Sequence, residues 1–272
     1  MEPTNRQIQI NNGWMLFGLG ALAWSISIGG HELLGHGGIC FVDSACTWKY
    51  ADAMYFDGDQ TEGAWVNLQR AAGSFFNILL AILAAVWLRF KRPSGVEMQV
   101  LLWVLLLVNL FQSGSYIAFG QFIDPGMDWA KLSLAISPAG SGGLVVLIFG
   151  AMLIIIGVVL GWRLFPGSNS GEPLTFANRS KILAIPYLGC SFVAIAASLL
   201  VPADDRLYML LGGIGGSMYF LIWMPLMTFL PGASRQLFQL REPLGFNSRI
   251  FALSVLVALA YIFILGPGVS FS

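Results

Sequence analysis

The segment His31-Glu32-Leu33-Leu34-Gly35-His36 sets two imidazoles and a carboxylate within six residues. Imidazole nitrogens and carboxylate oxygens are zinc donors, and a free carboxylate beside an ion can take a proton from water. Spacing decides how these groups cooperate. In a regular helix residues four apart share a face, whereas residues five apart point about 140° away from each other. Two arrangements follow. In one, Glu32 and His36 ligate the same ion, and His31 orients a ligand or moves a proton. In the other, a π-bulge near Gly35 brings His31 and His36 together and frees Glu32 as a base; glycine makes such a distortion cheap. In an apolar segment the Glu32 charge requires a metal, a proton or an arginine. Further donors must come from elsewhere in the chain. Asp128 is the expected additional ligand, while Asp124, beside Pro125-Gly126, reads as a turn residue. Arg70 is a candidate counter-charge or substrate contact. Asn77 is a candidate for holding substrate or an oxyanion.

The elements that position these residues are membrane spans. The chain has 272 residues, of which 57% are hydrophobic and only 10% charged. Soluble domains average about 25% charged residues, so the expected class is an all-α, polytopic transmembrane helix bundle. Stretches of about 20 apolar residues are expected near 14–38, 65–88, 98–119, 142–162, 182–201, 207–230 and 250–265, which makes seven spans. The first is not expected to be a cleavable signal peptide, because its apolar run continues straight into His31 and Glu32. Ten of the 14 basic residues fall on one side of this topology and four on the other, which predicts a cytoplasmic amino terminus. The balance of 14 basic and 14 acidic residues argues against a nucleic-acid partner. Two histidines are too few for a histidine-rich di-iron oxidase. Cys40 and Cys46 fall in the loop expected at 39–64, on the non-cytoplasmic side, where a disulfide can persist. The expected organisation is a four-span core over 1–165, a cytoplasmic linker over 166–181 and a three-span bundle over 182–272.

Three segments together resemble the site-2 protease family of intramembrane zinc metallopeptidases and its looser relatives among bacterial membrane proteins. His31-Glu32-Leu33-Leu34-Gly35-His36 resembles that family's H-E-x-x-H zinc helix, with one residue more between the histidines. Ala72-Gly73-Ser74-Phe75-Phe76-Asn77 resembles its G-P-x-x-N segment, with serine in place of proline. Asn109-Leu110, followed by Gly126-Met127-Asp128-Trp129, resembles the segment that supplies its third zinc ligand. The resemblance covers roughly residues 14 to 135. It implies zinc held by His31, His36 and Asp128, Glu32 as general base, Asn77 positioning substrate, and a membrane-embedded peptide as substrate. It further implies a multi-pass protein of a bacterial inner (plasma) membrane, surrounded by lipid.

Two other functional classes remain open at the level of sequence. A non-catalytic integral subunit or scaffold of a larger membrane complex fits the apolar spans and the 20 phenylalanines. A transporter using Glu32 and the histidines as a proton relay is weakened by the lack of an internal repeat. Metal content, partner co-purification and pH-gradient-dependent uptake discriminate the three.

Overall fold

A computed structural model describes residues 12–43, 46–53, 55–59, 64–91, 93, 95–123, 128–137, 141–165, 175–202, 206–230 and 244–270. Seven helices within them are long and apolar enough to cross a membrane: Gly13–Val42, Trp65–Lys91, Val96–Ile123, Ser141–Arg163, Phe176–Ser198, Leu210–Phe229 and Ser248–Leu265. The protein is therefore a helical, multi-pass membrane fold. Asp124 and residues 166–174 of the expected linker lie outside the described residues.

The third span is the axis of the bundle and is buried along nearly its whole length. Its polar residues tie it to its neighbours. Asn109 donates to the Ser27 hydroxyl of the first span at 2.9 Å, and the Trp103 indole donates to the Gly161 carbonyl of the fourth at 2.9 Å. The Ser115 hydroxyl donates to the Phe220 carbonyl at 3.1 Å and accepts from the Trp223 indole at 2.8 Å, where the sixth span breaks into turns. Such partners are what irregular backbone needs at membrane depth. The first span packs closely on the fifth: a Cβ on Gly20 would lie 2.1 Å from the Pro186 carbonyl oxygen, and one on Gly189 2.2 Å from that of Phe17. Leu83, Ile155 and Leu256 are exposed on the second, fourth and seventh spans, on surface that lipid covers.

Two expected boundaries need correction. The first helix runs on through Val42, so residues 39–42 are helix rather than loop. Residues 176–181, assigned to the linker, are the opening turns of the fifth span; Thr175 caps them by accepting from the Asn178 backbone N–H.

The remainder of the 39–64 segment carries structure that helical periodicity does not announce. Strands β1 (Thr47–Ala51) and β2 (Phe56–Asp59) form an antiparallel hairpin, and β3 (Val269–Ser270) pairs with β1, in the order β2-β1-β3. Gly268, at φ 82°, turns the chain into β3 where a side chain would collide with the Tyr50 ring. The Tyr261 hydroxyl of the seventh span donates to the Ala53 carbonyl at 2.6 Å. A small cluster of Cys40, Ala51 and Phe56, with Leu33 and Cys46 against it, joins this sheet to the end of the first span. That end carries the histidines.

Candidate metal centre

The first span does not stay α-helical. Residues His31–His36 form a single π-helical segment, closed by the Gly37 N–H donating to the Glu32 carbonyl. Bonds from i to i+5 place residues five apart above one another. His31 and His36, which diverge in an α-helix, now lie edge to face with ring centroids 4.9 Å apart. One donor atom each from His31, Glu32 and His36 lies within 4.8 Å of the others, and all three residues are buried.

The second span supplies the floor of this cluster. A Cβ on Gly73 would lie 2.4 Å from His31 Nε2 and 2.6 Å from His36 Nε2, so both ring tips converge on a spot that only glycine leaves open. Gly35 makes the approach possible, since its own Cβ would sit 2.6 Å from the Gly73 Cα. His36 Nδ1 lies 2.7 Å from the Gln69 carbonyl oxygen. A carbonyl only accepts, so Nδ1 is the donor in this contact and Nε2 is the nitrogen left facing the cluster, as in histidines that bind metals through Nε2. His31 Nδ1 is buried with no hydrogen-bond partner.

Asp128 opens a short helix, Asp128–Ile136, after the third span. Its Oδ2 lies 3.7 Å from His36 Nε2 and accepts a hydrogen bond from the Tyr116 hydroxyl at 3.1 Å. The 3.7 Å separation is too long for a hydrogen bond. It is close to the roughly 3.4 Å that separates two donors on one tetrahedral zinc with bonds near 2.1 Å. Among the described residues the donors within 4.8 Å of one another are those of His31, Glu32 and His36, and Asp128 approaches this group through His36. Nitrogen and carboxylate donors over a glycine floor fit a zinc-type cation.

The other candidates divide. Asn77 lies four residues after Gly73 on the same face of the second span, fully buried, with neither amide atom partnered. Arg70 is partly buried near the start of that span, and its Nη1 lies 3.4 Å from Asn67 Oδ1; among the described residues no ion pair involves it. Cys40 and Cys46 form a disulfide. The role of Gly73 and the contact between Ser74 and Trp129, described below, carry no signal in composition or periodicity. Tyr116 shows in sequence only as one polar residue among several on the third span.

Comparison with known proteins brings no match: no family model fits the chain, and no curated protein or solved structure is significantly similar.

Proposed function

We propose that the chain is an intramembrane, zinc-dependent peptidase-like hydrolase acting on membrane-embedded peptides. The observation that carries this reading is the π-helical turn. It gathers both histidine Nε2 atoms over Gly73, beside a buried carboxylate, despite a spacing that a regular helix would not allow. His31, His36 and Asp128 are the residues that hold the ion. Zinc bound there supplies a Lewis acid that polarises a carbonyl and lets water act as a nucleophile near neutral pH.

The chain's own groups do the rest. Glu32 takes a proton from the attacking water as the new C–O bond forms. It delivers that proton to the departing amine as the C–N bond breaks. Asn77, with donor and acceptor both unspent, holds the backbone amide of an unwound substrate segment. Burial of His31, Glu32 and His36 keeps bulk water away from the reacting groups. The amino terminus is assigned to the cytoplasm from the basic-residue bias, and the membrane is taken as a bacterial plasma membrane. That orientation puts the site toward the outer face.

The test is metal analysis of the purified full chain, together with cleavage of a transmembrane peptide in proteoliposomes. One zinc per chain, lost in His36→Ala, with cleavage lost in Glu32→Gln, supports the reading. Equal zinc in the wild type and His36→Ala, or none in either, defeats it. Absence of zinc with a stoichiometric membrane partner points instead to a non-catalytic subunit.

A further inference from the structure

The Asp128 carboxylate sits on a helix that belongs to neither histidine-bearing nor glycine-bearing span, so something must hold it at the cluster. Two contacts do so, from two different spans. On the third span, the Tyr116 hydroxyl donates to Asp128 Oδ2 at 3.1 Å. This is the same oxygen that lies 3.7 Å from His36 Nε2. The Tyr116 ring also stands edge-on to His31, with centroids 6.3 Å apart. One side chain therefore touches a candidate ligand from the first span and another from the short helix.

On the second span, the Ser74 hydroxyl accepts from the Trp129 indole at 2.9 Å. Ser74 follows the glycine that floors the site, and Trp129 follows the aspartate. The indole ring packs between Phe75 and Phe149, at centroid distances of 6.4 and 6.2 Å. Ser74 is fully buried and Trp129 nearly so. A hydrogen bond in such a setting fixes geometry, because neither group has water as an alternative.

We infer that Tyr116 and the Ser74–Trp129 pair are positioning residues forming a two-point clamp that presents the Asp128 carboxylate to the ion held by His31 and His36. Tyr116 fixes which oxygen faces the histidines. The Ser74–Trp129 bond fixes the start of the short helix against the floor of the site. Outer partners of this kind typically contribute 10- to 100-fold to metal affinity.

This inference rests on the metal-site reading above, and cobalt(II) binding separates the two. The full chain, stripped of metal in detergent, is titrated with cobalt(II) alone. Affinity and the visible ligand-field band are read; elution volume and melting of the metal-free protein report folding independently. Tyr116→Phe is expected to weaken binding by roughly 10- to 100-fold and to shift the band. Ser74→Ala and Trp129→Phe are each expected to weaken it, and the double variant to be no weaker than either single one, because both remove the same bond. Wild-type affinity and spectrum in Tyr116→Phe overturn the inference, as do additive losses in the double variant. Wild-type behaviour in Asp128→Asn also overturns it, leaving a site of His31, Glu32 and His36. A wild-type chain that takes up no cobalt defeats the underlying metal reading as well, and so is distinct from every other outcome.

Discussion

Replacing Gly73 with alanine tests the proposed centre at its most constrained point. The added methyl would lie 2.4 Å from His31 Nε2, 2.6 Å from His31 Cδ2 and 2.6 Å from His36 Nε2. Ordinary contacts begin near 3.4 Å, so each ring tip has to retreat by about 1 Å. Metal sites tolerate departures of only about 0.2 Å in ligand distance. A displacement five times larger, imposed on both imidazoles at once, removes them as a pair. The atoms that must move are the far ends of side chains, so the fold is expected to accommodate the change. Overpacking of this kind costs about 1–3 kcal/mol, and ring rotation keeps the loss at the lower end of that range. Gly35→Ala is the contrasting variant. Its methyl meets the Gly73 Cα at 2.6 Å and the Gly73 nitrogen at 2.9 Å, which are backbone atoms that cannot swing aside. Gly73→Ala should therefore purify as a folded chain with at least about 100-fold weaker metal affinity, beyond what loss of an outer partner produces. Gly35→Ala should lose yield and thermal stability. The assays are zinc per chain by elemental analysis, cobalt(II) titration, and melting in detergent. A folded Gly73→Ala protein with wild-type zinc content would show that the histidine tips do not meet at that glycine.

Glu32→Gln is expected to retain zinc while lowering cleavage of a transmembrane peptide by about 10²- to 10⁴-fold, the usual contribution of a general base; loss of the metal along with activity would make Glu32 a ligand instead. Asn109→Ala removes the 2.9 Å bond to Ser27 and should lower stability by about 0.6–2 kcal/mol, read by thermal or denaturant unfolding in detergent, with no change in zinc content. Opening the Cys40–Cys46 disulfide as the double serine variant frees a short loop, and should cost about 2 kcal/mol on loop-closure grounds; an unchanged melting temperature would mean that the β1–β2 pairing and the packing of Ala51 and Phe56 hold that loop without the bridge.

Composition and apolar run length made the bundle legible. They are sufficient because lipid leaves a chain few options: every buried backbone group must be satisfied within its own helix. The fourth span, with Leu144 to Trp162 almost uninterrupted by polar residues, could hardly be read otherwise. The ends were less legible for a local reason. Phe176–Lys181 contains polar and basic residues that a hydropathy window trims, and the apolar turn Ile39–Val42 is cut off from the rest of its span by His31, Glu32, His36 and the glycines around them. The three-stranded sheet was not legible at all. β1 is polar and aromatic, β2 contains two aspartates and a glycine, and β3 is a two-residue strand more than two hundred positions from its partner. Its pairing depends on the first and seventh spans ending side by side, which no short window contains.

The cluster of His31, Glu32 and His36 was legible in its members and not in its geometry. Residue type and proximity single out His31, Glu32 and His36, and spacing limits them to two arrangements. Choosing between the two requires knowing what lies against the helix, and the deciding groups are distant in sequence. Gln69 offers the carbonyl that orients His36, Gly73 leaves the space into which both rings turn, and Gly35 lets the two spans approach. A π-turn is ordinarily disfavoured against a continuous α-helix. Here the turn places two buried imidazoles and a buried carboxylate together, an arrangement that is costly in a membrane unless something shared compensates them. Other described spans also carry π-turns, at Trp87–Lys91, Gly215–Tyr219 and Tyr261–Leu265; what distinguishes the turn at His31–His36 is that it brings together two imidazoles that an uninterrupted α-helix would turn apart. The five-residue spacing and the π-turn together give both rings a common target, which is the arrangement that the proposed ion requires.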